Sequence, residues 1–358
     1  MNILYYISGY DGCGYYRVQL PAKYLNKLPN VFAKISSKYS NSEIDWADIV
    51  VLQKQVNQKA LPFVQYAKSR GKKVISECDD NYFSIPSWNP AHAFYKDLKK
   101  DLINFYNISD AMTVTTEHLK NSLLGYNSFI FEVPNCLDIP LLDSYNKLSK
   151  EELNKHTIYL NKDQEEISYS LVQEITNDNI VLGWGGSPTH LRDLDQATEA
   201  LKQICLENKK VILMFLACTT DTLMNCLPKE QLILIKPVPI FKYHQTLASL
   251  PWDIGICPVE DNYFNRSKSN LKFLEFSSNE IPCVCSNVEN YAKTVKHGET
   301  GLLAKNTKES WYENLNILIK DEELRKTISK NAASFVRNNF DIKDKVTTWF
   351  EVYNKVLE

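Results

Sequence analysis

Two lysines, a glutamate and several hydroxyls crowd into one short stretch, Asp261-Asn-Tyr-Phe-Asn-Arg-Ser-Lys-Ser-Asn-Leu-Lys-Phe-Leu-Glu-Phe-Ser-Ser-Asn279. Read as a helix from about Ser267 to Asn279, it puts Lys268, Lys272 and Glu275 at i, i+4 and i+7, on one side. Leu271, Phe273, Leu274 and Phe276 cover most of the rest. The apolar run Asp253–Val259 precedes it and holds Pro258, so a strand feeds a loop that feeds the helix. A helix start offers N–H groups without intrahelical partners and a positive dipole end. With Ser267, Lys268, Ser269 and Asn270 around it, this start can bind a phosphate. Glu275, two turns in, can accept hydrogen bonds from hydroxyls of the same ligand. The chemistry is that of a sugar phosphate or a nucleoside diphosphate. The alternative is an ordinary solvated helix face, because charges at this spacing are common on surfaces.

The elements that must position these groups alternate between strand and helix. Asn2–Ser8 is a buried-strand pattern, followed by the Gly9-Tyr-Asp-Gly-Cys-Gly14 turn and a helical pattern over Tyr15–Leu28. Gly12 and Gly14 permit close backbone approach to a ligand, although the turn is not Gly-x-Gly-x-x-Gly. Arg17, on the first helical turn, either reaches toward a ligand or lies on the surface. Asp48–Gln53 is a strand, Gln58–Arg70 a helix stopped by Gly71, and Lys73–Asp80 a strand ending in acids. Asp79 and Asp80 stand at the carboxyl edge, where open α/β sheets bind ligands. Adjacent carboxylates cost energy unless hydrogen-bonded or used; helix capping is the competing role, and the pair is not an Asp-x-Asp metal motif. Ala93–Tyr106 is helical, Ala111–Thr116 a strand, and Glu117-His118 begins a helix in which His118 is a solvated first-turn residue or a base. Phe129–Asn135 is the last strand of this half.

Residues 139–178 are polar and acidic, with short helices expected at Lys150–His156 and Asp163–Ile175. The α/β pattern then restarts. Asn179–Trp184 is a strand, Gly185–His190 a turn, and Leu191–Leu206 a helix. Gly186 and Ser187, before Pro188 at the helix start, form a phosphate-cradle candidate. Val211–Leu216 and Gln231–Ile235 are unbroken apolar runs, hence fully buried strands. From Asp341 on, Val346, Trp349, Phe350, Tyr353, Val356 and Leu357 make an apolar stripe.

Several of these segments resemble the retaining GT-B glycosyltransferases of family 4. Lys268-Ser-Asn-Leu-Lys-Phe-Leu-Glu275 is similar to that family's donor-site helix, in a branch with a Lys-Ser-x-Leu-Lys-x-x-Glu pattern. His297-Gly-Glu-Thr-Gly-Leu-Leu-Ala304, Val133-Pro-Asn-x-x-Asp138 and Gly183-Trp-x-Gly-Ser-Pro-Thr-His190 also resemble family markers. The resemblance covers residues 180–358 well and the first 140 more loosely. The family carries a second Glu eight positions before the one matching Glu275; Ser267 stands there, which leaves the identity of the transferred sugar open.

The resemblance implies an α/β chain of two Rossmann-like domains facing across a cleft. Residues 1–138 would bind the acceptor, 139–178 would be a linker or insertion, and 179–340 would bind the nucleotide-sugar. Residues 341–358 would be a helix crossing back to the first domain. It implies retaining, metal-independent transfer from a nucleotide-sugar, expected to be a UDP-sugar, with no cofactor. Glu275 would hold the ribose hydroxyls and the backbone near Val238 the base. Gly12, Gly14, Gly186, Ser187, His190, Ser267, Ser269, Asn270 and Lys272 would line the donor site. Lys268 and Arg192 would stabilise the leaving diphosphate. Asp79 and Asp80 would serve catalysis, and Arg17 and His118 would face the acceptor.

Composition bounds the rest. The 358 residues are 44 % apolar and 23 % charged, which suits a soluble two-domain chain. No apolar run reaches the roughly 18 residues of a membrane span, and the N-terminus reads as a strand, not a signal peptide. Nine cysteines without Cys-x-x-Cys spacing suit reduced thiols in a cytosol; Cys283 and Cys285, on one strand face, read as core. Net charge is −2, which excludes an overall polyanion binder. Residues 1–133 carry 15 Lys and Arg against 12 Asp and Glu, mildly basic, which permits a phosphorylated acceptor. A cell-surface glycan is the expected acceptor. DNA with hydroxymethylated bases is an alternative, and a non-catalytic sugar-nucleotide-binding protein is a second.

Overall fold

The computed structural model describes residues 1–55, 58–149, 151–153, 159–160, 175–176 and 178–358. They form two compact units. Unit 1 comprises Met1–Ile139, Arg266–Ser269 and Phe340–Glu358; unit 2 comprises Pro140–Asn265 and Asn270–Asn339. Of the helix expected at Lys150–His156, only Glu151–Leu153 are described, and these are helical. The one expected at Asp163–Ile175 lies, apart from Ile175, outside the described residues.

Unit 1 is built on a six-stranded parallel sheet in the order β2-β1-β3-β4-β5-β6. Its strands are β1 (Asn2–Tyr6), β2 (Phe32–Ser36), β3 (Ile49–Gln53), β4 (Lys73–Cys78), β5 (Ala111–Val114) and β6 (Ile130–Glu132). β3 is buried at every position, as its Ile-Val-Val-Leu run requires of a central parallel strand. The sequence order reverses between β1 and β3, a switch point that opens a crevice at the carboxyl edge. After β1, the chain turns through α1 (Gly12–Gly14), a π-helical segment (Tyr15–Gln19) and α2 (Leu20–Leu25). Gly14 is required there: a Cβ would stand 2.0 Å from the Gly9 carbonyl oxygen. The close approach expected toward a ligand is at Gly14 an approach to the chain itself.

The final helix, Ile342–Leu357, closes unit 1. Its Val346, Trp349, Val352, Tyr353 and Val356 are buried. Tyr353 Oη lies 2.8 Å from Tyr5 Oη on β1, and the Arg17 guanidinium stacks 4.7 Å over the Trp349 ring.

Unit 2 holds a seven-stranded sheet in the order β13-β12-β11-β8-β9-β10-β7. β8 (Ile180–Gly185), β9 (Val211–Leu216), β10 (Leu232–Ile235), β11 (Ile254–Cys257), β12 (Cys283–Ser286) and β13 (Leu302–Ala304) run parallel. β7 (Tyr159–Leu160) adds to the edge antiparallel. Here the order reverses between β8 and β11. Trp184, Phe215 and Trp311 are buried in its core. Gly183 makes room for Trp252, whose ring would lie 2.0 Å from a Cβ. Cys257, Cys283 and Cys285 are all buried and unpaired, as core residues.

The helix expected over Ser267–Asn279 forms only over Leu271–Ser278; residues 267–270 are a non-helical turn that follows a separate short helix, Tyr263–Arg266. Tertiary hydrogen bonds hold the turn. Thr116 Oγ1 donates to the Ser267 carbonyl at 2.8 Å, and Asn135 Nδ2 donates to Ser269 Oγ at 3.0 Å. Lys268 therefore does not share a helical face with Lys272 and Glu275; it belongs to unit 1 and they belong to unit 2.

Candidate functional site

In unit 2 the candidate residues gather at the carboxyl edge of β8 and β11, the position that the order reversal favours. Leu271–Ser278 is helical because Phe273, Leu274 and Phe276 bury one face, with Phe276 set 5.3 Å edge-on to Trp252. Gly255 on β11 admits that ring, which would lie 2.4 Å from a Cβ. The same helix carries Glu275, only 5 % exposed. Tyr243, on the helix Ile240–Ser249, donates its phenol hydrogen to Glu275 Oε2 at 2.9 Å. Burial and then the Glu275 charge push the Tyr243 phenol well up, so it remains a donor. Lys272 stands one turn before Glu275. Its charge opposes the burial that raises Cys218 to about 11.

Cys218 links Lys272 to the glycine turn, donating from Sγ to the Gly186 carbonyl at 3.0 Å. Gly186 departs from its expected role. Its N–H donates to the Leu216 carbonyl at 3.3 Å, and a Cβ would meet Trp184 at 2.7 Å. Glycine is needed here for packing, and this N–H is not offered to a phosphate. Ser187 Oγ lies 2.7 Å from Thr189 Oγ1 at the head of the helix Leu191–Glu207. His190 Nδ1 lies 2.8 Å from Asp193 Oδ2. A carboxylate at Nδ1 selects the Nδ1–H tautomer and leaves Nε2 as the acceptor of the neutral ring. Asp193 Oδ1 accepts from Glu260 N and Asn265 Nδ2, both at 2.9 Å. One buried carboxylate thus ties His190 to the loop after β11. Arg192 is exposed on the first turn of the same helix, and Val238 is half-buried in the loop after β10. Asn270 Nδ2 donates to Thr294 Oγ1 at 2.8 Å.

Unit 1 brings a second cluster to its own switch point. Asp79 and Asp80 follow β4 and are half-buried. They titrate in opposite directions. Burial raises Asp79, but Lys54, Cys13 and the Tyr82 hydroxyl together outweigh it and hold its carboxyl below the usual range. Tyr82 Oη donates to Asp79 Oδ1 at 2.5 Å. Burial keeps Asp80 above its usual range, with Lys268 opposing and Asp79 reinforcing. Neighbouring carboxylates split in this way when only one is well compensated. Neither Asp79 nor Asp80 caps a helix. Lys268 thus lies electrostatically beside Asp80, not along the Glu275 helix.

Arg17 does not face an acceptor: it is 1 % exposed. Its Nε and Nη2 pair with Glu77 at 2.6 and 3.1 Å, and its Nη1 donates to the Val133 carbonyl and to Asn135 Oδ1. A helical-wheel reading sees a cation on a first turn, not its buried partner sixty positions away. His118 is half-buried in the first turn of Glu117–Leu123, and Ser267 is fully buried. Gly12 has open space around it.

Sequence reasoning missed Lys54, Asp193 and Tyr243. For Lys54 a signal existed: Gln53-Lys54-Gln55 is a polar triplet at the end of an apolar strand beside the switch point. Nothing local marks Tyr243 or Asp193.

Among the described residues no group of three or more His, Cys, Asp or Glu is placed to hold a metal ion, and no helix is long and apolar enough to cross a membrane. Two parallel-strand α/β units, each with polar residues at the carboxyl edge of its sheet, are of the kind found in the GT-B fold. Residues 271–335 match the family model described as glycosyl transferases group 1. A capsular polysaccharide biosynthesis glycosyltransferase, CapM of Staphylococcus aureus, is 25 % identical over 195 residues, 52 % of this chain and 48 % of that protein. The chain thus spans about half the length of that curated relative. Among solved structures, a glycosyltransferase from Rickettsia africae superposes with a TM-score of 0.71 at 14 % identity, covering 100 % of this chain and 98 % of that one. HepE of Anabaena, in complex with UDP, superposes with a TM-score of 0.69 at 13 % identity, covering 99 % of each chain. These likenesses bear out the GT-B fold, and the segment 271–335 bears out the resemblance to glycosyl transferases group 1 over that part of the chain.

Proposed function

We propose that the protein transfers a sugar from a nucleotide-sugar to an acceptor hydroxyl. The observation that carries this reading is Glu275, a buried carboxylate inside the matched segment, partnered by Tyr243 and one helical turn from Lys272. A buried acid that accepts from a phenol can accept from ribose hydroxyls in the same way. Lys272, Ser187 and the start of the Leu191–Glu207 helix supply the cation, the hydroxyl and the dipole end suited to a diphosphate. His190, oriented by Asp193, and Asn270 complete the donor side, with the Val238 backbone for the base.

The UDP-bound relative supports a uridine nucleotide as donor, and the capsular relative supports a cell-surface glycan as acceptor. We read transfer as retaining and metal-independent, with charge on the leaving diphosphate met by Lys272 and Arg192. Lys268 remains a candidate cation of unit 1 beside Asp79 and Asp80. A cytosolic setting goes with nine cysteines that are all unpaired. The modified-DNA acceptor is not carried further, as none of the relatives named above acts on a nucleic acid by its name.

The test is binding and slow hydrolysis of UDP-, GDP-, ADP- and CMP-sugars by the wild type and by Glu275→Ala. One UDP-sugar is expected to bind and hydrolyse, and the variant to bind it at least about tenfold more weakly, the scale of a lost charge-assisted hydrogen bond. An unchanged variant removes Glu275 from the site. Binding without turnover on any glycan acceptor would favour the non-catalytic reading.

A further inference from the structure

Lys268 is held from both sides. The residue before it, Ser267, is fully buried, and its carbonyl accepts from Thr116 Oγ1 at 2.8 Å. The residue after it, Ser269, accepts at Oγ from Asn135 Nδ2 at 3.0 Å. Two side chains of unit 1, lying 151 and 134 positions away along the chain, thus fix the backbone on either side of one cation.

Both holders are themselves fixed. Thr116 caps the helix Glu117–Leu123, where its Oγ1 accepts from the Leu119 N–H at 3.2 Å. With that lone pair used, the hydroxyl hydrogen points away from the helix, to the Ser267 carbonyl. Asn135 has an amide with two unlike ends. Arg17 Nη1 donates to its Oδ1 at 3.0 Å, and a guanidinium only donates, so Nδ2 is the end left for Ser269. Arg17 is pinned in turn by Glu77, the Val133 carbonyl and the Trp349 ring. A line of bonds therefore runs from Glu77 on the central strand β4 through Arg17 and Asn135 to the neighbour of Lys268.

The far end of this line does little for the core. Arg17 keeps Glu77 and the Val133 carbonyl whether or not Asn135 is present. What Asn135 adds is control of a turn. Residues 267–270 are not helical, so no ladder of intrahelical bonds sets their backbone angles, and the side chains that reach them do. Lysine carries its charge on a long flexible stem, and a loose turn beneath it would spread that charge over a wide volume. Transfer from a nucleotide-sugar builds negative charge, and a cation held ready for it needs no reorganisation. Asn135 belongs to the Val133-Pro-Asn segment, which the proposed function otherwise leaves without a task.

We infer that Asn135 is a positioning residue for the transfer reaction: acting through Ser269, it holds Lys268 in place as a fixed cation. The inference rests on the glycosyltransferase reading and on Lys268 taking part in the reaction.

Steady-state hydrolysis tests it, with the member of a UDP-, GDP-, ADP- and CMP-sugar panel that the wild type turns over fastest. Lys268→Gln should lower kcat about a hundredfold, the scale of one lost charge-stabilising group. Ser269→Ala and Asn135→Ala should each lower kcat about tenfold, as a small misplacement does, with the donor KM changed less than about threefold. The double variant should be no slower than the slower single one, because both remove the same bond. Asn135→Asp, which accepts the Ser269 hydroxyl hydrogen with the polarity reversed, should recover most of the rate. Ser269→Ala takes away one half-buried hydroxyl and serves alone if Asn135→Ala does not fold. A lowered melting temperature with kcat unchanged in both single variants makes Asn135 structural only and overturns the inference. Losses that multiply in the double variant overturn it as well. Full turnover by Lys268→Gln overturns it while the glycosyltransferase reading stands. If the wild type turns over no sugar nucleotide, that reading falls and the inference falls with it.

Discussion

Tyr243 Oη donates to Glu275 Oε2 over 2.9 Å, so the acid read as the holder of ligand hydroxyls already holds one. The phenol fixes the rotamer and uses one of the oxygens, leaving the carboxylate preorganised. Tyr243→Phe removes that bond and keeps the ring. Calorimetry with UDP is expected to show affinity falling about threefold to tenfold, less than for Glu275→Ala. Equal losses in the two variants would mean that the phenol itself contacts the nucleotide.

Asp193 joins three groups through two oxygens: His190, the Glu260 N–H and the Asn265 amide. Asp193→Asn replaces one acceptor oxygen by a donor, so at least one buried bond is lost at a cost of about 1–3 kcal/mol. Both the melting temperature and donor affinity should fall. His190→Ala should lower donor affinity with little change in melting. If the two variants melt alike, the carboxylate is not what braces the loop after β11.

The Arg17–Glu77 pair is buried on both sides at 1 % exposure. Removing one partner, as in Arg17→Met, leaves a buried uncompensated charge and should cost about 3–5 kcal/mol in urea unfolding. Arg17→Met with Glu77→Leu should recover part of that loss. Full recovery is not expected, because the Val133 carbonyl and the Thr113 hydroxyl lose their partners as well.

Asp79 and Asp80 predict opposite pH behaviour. The folded pKa of Asp80 is raised, so its contribution to stability is fully present below its unfolded value of about 3.9 and is lost as pH rises through the folded value. Ionised Asp80 is therefore a cost at pH 7, and Asp80→Asn should raise the melting temperature there by about 2 °C or more, with the gain vanishing near pH 3. The folded pKa of Asp79 is lowered, so its contribution is present above about 3.9 and is lost as pH falls through the folded value. Asp79→Asn should lower the melting temperature at pH 7. Shifts of the same sign would show that the two carboxylates share their environment.

The strands were legible because unbroken apolar runs such as Val211–Leu216 have one fate in a parallel sheet, burial on both faces. The Leu271–Ser278 helix and the place of Glu275 followed from periodicity. Periodicity could not place Lys268, since what ends the helix is a carbonyl bonded by Thr116, 151 positions away. Arg17 was misjudged for the same reason. Spacing reports neighbours on one element; it is blind to partners supplied by another. Lys54 eluded the reading because its one signal, the polar Gln53-Lys54-Gln55 triplet, also fits a solvated strand end; the backbone angle of Lys54 is what sets it apart.

The Tyr5–Tyr353 contact spans 348 positions, and it dictates when unit 1 can be finished during synthesis. The six-stranded sheet leaves the ribosome first, yet Trp349 and Tyr353, which cover Arg17 and Tyr5, are made only after all of unit 2. Until then the sheet lacks the apolar side chains of that helix that lie over Arg17 and Tyr5. The N-terminal half therefore reaches its final packing only once the C-terminal helix that completes it has been made.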